Sequence, residues 1–229
     1  MNVGRLLGKL GIVEPRFVEI EGKMRVLPEE ASALEAWLAA RKGVKPKGSP
    51  SFLDRFLDTP SNALLKKGAS LRLRCVRDGS AARLKYKGPG FVRNGLLYRC
   101  EFSSADARPE MAEAMRRQLG KSVTARISGT PILALYRKKK FEVDLGGAFL
   151  EPSLDRVSVF RIGKAGDPRP LAVFHEFENE IKTGDGSLEA KLERLDDLLE
   201  FNEIVRRKFR LRREPLDKYG RCASFLAKP

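Results

Sequence analysis

The sequence is poor in several residues from which active sites are commonly built. Its 229 residues include one histidine, His175. That excludes a histidine-rich zinc centre and leaves a histidine-based triad a single candidate base. Three cysteines, Cys75, Cys100 and Cys222, are an odd number in a long chain. They argue against a disulfide framework and for free thiols in a reducing compartment. No apolar run approaches the roughly 18 residues that span a bilayer. The first sixteen residues carry only the apolar patches Leu6-Leu7 and Ile12-Val13 and no small-residue cleavage site. No secretory signal is expected, and the reading is a cytoplasmic protein with no membrane partner. No internal repeat is found. A P-loop is also missing, and Gly88-Pro89-Gly90 reads as a turn.

What the chain has in excess is positive charge, with 45 Lys and Arg against 30 Asp and Glu, a net +15. Polyphosphate, nucleotide, nucleic acid and anionic membrane all fit that balance, and charge alone does not choose among them. Hydrophobic residues make up 42% and charged residues 33%, the balance of a folded chain with a core.

Short period-two segments dominate. They are Phe17 to Val26, Phe52 to Leu57, Ser70 to Arg77, Ala82 to Lys87, Leu96 to Ser103, Ile132 to Val143, Ser153 to Ile162 and Leu171 to Lys182. Ser70 to Arg77 and Ala82 to Lys87 form a hairpin around Asp78-Gly79. Helical patterns run over Pro28 to Arg41, Pro109 to Leu119 and Leu188 to Glu203. Gly43 to Ser51 reads as a loop, and Asp58 to Asn62 as a turn that caps a helix. Eight strands with helices inserted predict an antiparallel α+β fold whose strands close into a β-barrel with flanking helices. The expected organisation is an N-terminal extension, 1–15, and a single domain, 16–229, that includes the C-terminal helix and basic tail.

One face of strand after strand is formally charged. Glu19, Glu21, Lys23 and Arg25 oppose Ile20, Met24 and Val26. Arg72 and Arg74, then Arg83, Lys85 and Lys87, then Arg99 and Glu101, then Arg137 and Lys139 continue the pattern. Glu176, Glu178, Glu180 and Lys182 close it. One such strand would simply face water. Six together, with carboxylates gathered near the two ends of the strand region and bases between, fit charged faces that line a lumen. Carboxylates at i and i+2 suit a hard divalent cation such as Mg²⁺ or Mn²⁺. Lys and Arg suit phosphate oxygens. In a dry tunnel, metal and bases together meet the needs of phosphoryl transfer, which are positioning and charge neutralisation.

These residues carry a resemblance. Glu19-Ile20-Glu21-Gly22-Lys23 resembles the E-x-E-x-K signature of the triphosphate tunnel metalloenzymes, the CYTH superfamily. In family order follow Phe56-Leu57-Asp58-Thr59-Pro60, Ala63 to Arg74, Leu84-Lys85-Tyr86-Lys87-Gly88-Pro89-Gly90, Arg99-Cys100-Glu101, Leu154-Asp155-Arg156, and Glu176 to Gly184. Lys218-Tyr219-Gly220-Arg221 is similar to the ending of the inorganic triphosphatase branch. The resemblance covers about Arg16 to Phe225. It implies an eight-stranded tunnel that binds triphosphates with Mg²⁺ or Mn²⁺. It implies metal binding by Glu19 and Glu21 with Glu176, Glu178 and Glu180, leaving open which of the last three coordinate. Lys23, Arg72, Arg74, Lys87, Arg137, Lys139 and Lys218 would hold phosphates, with Lys23, Lys87 and Glu21 acting at the reacting group. Glu101 and Asp155 would stand behind those bases. Two departures are noted, namely Asp217 where the branch has Ser, and the run Arg206 to Arg213, which matches no family motif.

The resulting expectation is metal-dependent hydrolysis of a triphosphate, inorganic tripolyphosphate first and an organic triphosphate such as thiamine triphosphate second, with a triphosphate-containing small molecule or short polyphosphate as the partner. An ATP-cyclising enzyme, a polyphosphate polymerase and a non-catalytic polyphosphate- or RNA-binding module are the alternatives. Nucleic-acid binding by Arg206 to Arg213 ranks below a solvated basic face, because only Phe209 interleaves the bases. His175 and the cysteines are read as packing or surface residues. The sequence leaves the oligomeric state open.

Overall fold

The computed structural model describes residues 2–76, 82–105, 107–162 and 169–226. Its strands are β1 Val18–Val26, β2 Val44–Gly48, β3 Ser51–Asp58, β4 Ser70–Val76, β5 Arg83–Lys87, β6 Phe91–Arg93, β7 Leu96–Ser103, β8 Ser128–Asp144, β9 Ala148–Arg161, β10 Ala172–Thr183 and β11 Arg212–Arg213. Its helices are α1 Val3–Leu10, α2 Pro28–Ala40, α3 Ala63–Lys66, α4 Arg108–Leu119, α5 Lys121–Thr124, α6 Leu188–Glu193, α7 Leu195–Lys208 and α8 Lys218–Leu226. The pairing runs β1-β10-β9-β8-β3-β4-β5-β7, and β7 pairs back onto β1. Eight antiparallel strands thus close a barrel, as the alternation predicts. β2, β6 and β11 are appended to β8, β7 and β1. No described helix is long and apolar enough to cross a membrane.

The pleat sends alternate residues to opposite sides of the wall, and the register lines the inward ones up in rows. Arg25 faces Glu176, Glu176 faces Asp155, and Asp155 faces Lys138. One row on, Lys23, Glu178, Ser153 and Lys140 are neighbours, then Glu21, Glu180 and Glu151. Toward one end the inner rows turn apolar. Phe56, Ile132, Ala134, Tyr136, Val157, Val159 and Phe174 form a core inside the barrel. The helix α8 plugs it with Tyr219 and Cys222. Tyr219 stacks on Phe56 at 4.8 Å and donates its hydroxyl to Asp58 Oδ2 at 2.9 Å. A second, larger core lies outside the wall under α1, α2, α4, α6 and α7.

Several local expectations change. Gly43 to Ser51 contains β2, because an edge strand paired on one side tolerates Pro46, at a register shift. The segment before residue 16 forms α1, whose Leu6 and Leu10, one turn apart, are buried in the outer core. The helix expected over Leu188 to Glu203 breaks at Arg194 and runs on to Lys208. Asn62 makes no side-chain cap. Asp58 and Thr59 cap α3 instead, accepting from the backbone N–H groups of Leu64, Leu65 and Ala63. The turn at Asp78-Gly79 lies outside the described residues.

In the first motif, the glycine between the acids and Lys23 has a packing role. A Cβ on Gly22 would lie 2.1 Å from Asn202 Nδ2 of α7. The Asn202 carbonyl oxygen accepts from buried Asn179 of β10 at 3.0 Å. The motif therefore presents acids inward and a bare backbone outward.

Candidate active site

Between the plug and the opposite rim the lumen holds a cavity of about 240 Å³. Ten bases and eight acids line it, so the lining carries two of the fifteen net charges, and thirteen lie elsewhere. The positive excess of the chain is thus mainly not a property of the lumen.

The carboxylates form two clusters. Toward the open rim, one oxygen from each of Glu19, Glu101 and Glu180 lies within 4.8 Å of the other two. Bases on the wall surround them. Lys87 Nζ is 2.5 Å from Glu19 and 3.6 Å from Glu101, and Lys182 is 3.1 Å from Glu180. Burial pushes the Glu180 carboxyl up, with Lys182 opposing and Glu19 and Glu101 adding, to about 7. For Glu101, burial is outweighed by Lys87, Lys85 and Arg72, which hold it well below the usual carboxylate range.

Arg99 binds the E-x-E pair together. Its Nε donates to Glu19 at 2.7 Å and one terminal nitrogen to Glu21 at 2.6 Å, all three residues being buried. Burial alone would raise Glu21, but Lys23 and Arg99 outweigh it and hold the carboxyl at about 2.

Toward the plug, Asp155, Glu176 and Glu178 gather around Lys218 of α8. Its Nζ lies 3.0 Å from Asp155 and 3.1 Å from Glu176, and it also pairs with Glu178. Lys138 reaches Asp155 and Glu178 at 3.2 and 3.3 Å. Burial raises Glu176 despite Lys218 and Lys23, whereas Glu178 is drawn well down because Lys218, Lys138 and Lys23 outweigh its burial.

The sequence-derived site is largely brought together, with corrections. Glu19, Glu21, Arg72, Arg74, Lys87, Glu101, Asp155, Glu178, Glu180 and Lys218 all line the cavity. Lys23 and Glu176 do not. Lys23 is buried 3.5 Å from both Glu21 and Glu178, and Glu176 is closed off under Lys218 and Arg221. Arg137 and Lys139 are on the wrong face. Both are exposed on the outer wall, where Lys139 pairs with Glu35 of α2 at 3.3 Å. Lys138 and Lys140 face the cavity instead. Four consecutive bases carry no alternation, so only the pairing of Lys138 with Asp155 and Lys140 with Ser153 sets the parity.

Other residues were missed. Asp54, fully buried, takes a bidentate pair from Arg74 at 2.7 Å twice and lies 3.2 Å from Arg72. Its signal was a lone acid sharing a face with Phe52 and Phe56. Glu151 was missed because β9 begins five residues before the predicted start. Arg99 was visible in its motif, but its clamp depends on β7 lying beside β1. The basic run is not a free tail. Phe209 and Leu211 are buried, and Arg212 and Arg213 pair with β1. His175 faces outward with its Nδ1 buried and unpartnered, and the three cysteines are free.

The donor set of Glu19, Glu101 and Glu180 fits a hard cation. Among the described residues it consists of carboxylate oxygens alone, with no thiolate or imidazole. Among the described residues, the buried Asp155 Oδ1 finds no hydrogen-bond partner.

Comparisons with known proteins agree with the architecture. A CYTH domain model matches residues 18–208. A Hippeastrum adenylyl cyclase candidate with a dominant triphosphatase activity superposes with a TM-score of 0.54 at 17% identity, covering 90% of this chain and 95% of that one. An adenylate cyclase candidate from Bacillus halodurans gives 0.51 at 18% identity, covering 89% and 96%. None of the curated proteins matches the chain.

Proposed function

The chain belongs to the CYTH-domain family, and from that premise we propose that its tunnel hydrolyses a triphosphate with the help of a divalent metal. One observation carries the reading. Glu19, Glu101 and Glu180 converge on one point of a cavity whose facing walls carry Arg72, Lys87, Lys138 and Lys140. A polyanion binder with no chemistry to perform gains nothing from convergent carboxylates.

Glu19, Glu101 and Glu180 would hold Mg²⁺ or Mn²⁺, which would supply Lewis acidity toward phosphate oxygens and a more acidic water. The chain's own residues do the rest. Arg72, Lys87, Lys138 and Lys140 bind the phosphate oxygens and offset the charge that spreads over the transferred group. Glu21, held at about 2, is ionised at neutral pH, so it orients water as an acceptor and donates no proton. Arg99 keeps Glu19 and Glu21 in register. The plug of α8 excludes solvent from one end.

Inorganic tripolyphosphate is the first substrate and an organic triphosphate such as thiamine triphosphate the second. The four aromatic rings at the lining are already engaged. Phe56 and Tyr219 stack on each other, and the Arg74 guanidinium lies over Phe52 and beside Tyr136. That leaves little ring surface for a base or thiamine. The test is phosphate and pyrophosphate release from tripolyphosphate, thiamine triphosphate, ATP and long-chain polyphosphate, with Mg²⁺, Mn²⁺ or chelator, and with cyclic AMP assayed in the ATP sample. Metal-dependent turnover led by tripolyphosphate is expected. Cyclic AMP formation would move the chain to cyclase chemistry, and tight polyphosphate binding without turnover would reduce it to a binding module.

A further inference from the structure

Beyond the collar of Glu19, Glu101 and Glu180, toward the open rim, lies a second chamber of about 210 Å³. It shares those three acids and Lys85 with the main cavity. The register sets it one row farther out, because Lys87 faces Glu101 and the next inward pair is Lys85 with Ser103. Ser103 lines this chamber, and so do Arg16 and Lys191, none of which lines the main cavity.

Lys191 of α6 is the unusual member. It is 5% exposed, donates to the Val18 carbonyl at 2.7 Å and, among the described residues, forms no ion pair. Burial pulls its ammonium below the ordinary 10.5, with Glu180, Glu19 and Glu101 opposing and Lys182 adding. A buried charge held by one carbonyl is costly, and anchoring β1 to α6 needs only a neutral donor. We propose that the chamber is a phosphate subsite, in which Lys191, Lys85 and Ser103 take the terminal phosphate of a chain whose other phosphates lie among Arg72, Lys87, Lys138 and Lys140. The proposal deepens the triphosphate reading above and rests on it.

The charges around the chamber allow an anion. Glu19 is matched by Lys87 and Arg99, Glu101 by Lys87 and Lys85, and Glu180 by Lys182. Arg99 is shared with Glu21 and Lys182 with Glu151, while Arg16 serves Glu14 and Glu110 at the rim. Lys191 is the base of the chamber whose charge no described acid contacts, so it is free to meet a phosphate oxygen. The N-terminus of α4 borders the same space at Ala107, which makes no side-chain cap, and a helix start favours an anion.

The test is calorimetric titration of orthophosphate into the full chain saturated with Mg²⁺ and pyrophosphate. The wild type should still bind one orthophosphate. Lys191→Met should weaken that binding at least tenfold, leave pyrophosphate affinity within about twofold, and raise the KM of tripolyphosphate about fivefold or more. Ser103→Asp, which adds an acid to the chamber, should do the same, and it decides if Lys191→Met fails to melt cooperatively. No orthophosphate uptake by the pyrophosphate-loaded wild type would overturn the proposal, as would wild-type orthophosphate affinity in the folded variants. Equal losses of orthophosphate and pyrophosphate would overturn it too, because the whole tunnel would then be disturbed. An unchanged KM beside lost orthophosphate would overturn the assignment to the substrate's terminal phosphate. No binding of pyrophosphate or tripolyphosphate by the wild type would refute the triphosphate reading itself, an outcome distinct from loss of this subsite alone.

Discussion

The two ends of the tunnel hold the same chemistry under different management. Each has three carboxylates, Glu19, Glu101 and Glu180 at the open side and Asp155, Glu176 and Glu178 near the plug. At the open side the neutralising bases stand on the wall, each touching part of the cluster. Burial there, with Glu19 and Glu101 adding to it, pushes the Glu180 carboxyl to about 7 despite Lys182. Near the plug a single tethered ammonium sits among all three acids. Two ways of neutralising three acids therefore lie within one lumen, and the helix that seals the barrel makes the difference.

The largest effect should come from removing the clamp on the open side. Arg99→Met leaves Glu19 and Glu21 buried without their shared partner. The expected cost is about 3–5 kcal/mol, measured by urea unfolding. Arg99→Lys should recover part of it. A loss under 1 kcal/mol for the Met variant would mean that the wall bases suffice without Arg99.

Next comes the pH dependence of Glu180. Its carboxyl lies above the ordinary 4.5, so the folded chain holds a proton that the unfolded chain has released. Stability contributed by that proton is complete below about 4.5 and is lost as pH rises toward 7. The loss is about 3.5 kcal/mol in all, from the rise of 4.5 to about 7 at about 1.4 kcal/mol per pH unit. Glu180→Gln should remove it. The variant's stability relative to wild type should therefore rise between pH 5 and pH 8 in metal-free buffer. A difference that stays flat across that window would contradict the assignment. Mn²⁺ favours the ionised carboxylate, so its uptake near pH 6 should release protons, detectable with an indicator dye in weak buffer.

At the plug, Tyr219→Phe removes the hydroxyl that serves Asp58 and keeps the stack on Phe56. A loss of about 1.5–3 kcal/mol is expected from thermal melts. The site near Lys218 should loosen with it, seen as faster amide exchange in α8. If exchange there is unchanged, the hydroxyl does not hold the plug.

The smallest effect belongs to the outer wall. Arg137→Ala and Lys139→Ala should each change stability by less than about 0.5 kcal/mol and leave triphosphate affinity intact. Lys138→Ala and Lys140→Ala should each weaken tripolyphosphate binding, by calorimetry, at least tenfold. A reversal of the two pairs would show that the inward parity of β8 is misassigned.

That pair also shows how far the sequence can be read. Where apolar and charged residues alternate, as in Glu19-Ile20-Glu21 and Glu176 to Lys182, the inward face was legible, because the pleat alternates strictly. In Arg137 to Lys140 the alternation vanishes, and the parity waited for the pairing with Asp155 and Ser153. The hairpin signals and eight strands were legible for the same reason as the acids. The edge strand β2 and the helix α1 were not. Edge pairing and docking on a core leave little local pattern, and proline or glycine in such segments reads as loop.

By itself the sequence determined the strands, the expectation that they close into a barrel and the charged character of its lumen, since alternation is a local pattern. Tertiary structure alone decided which acids share a point. Glu19, Glu101 and Glu180 come from β1, β7 and β10, 79 residues apart along the chain at the closest. It also decided that Lys218, on a helix beyond the last barrel strand, answers acids on β9 and β10. Distances across a closed barrel depend on register and on what fills its end. No stretch of sequence encodes those quantities locally, because each arises from contacts between segments far apart in the chain.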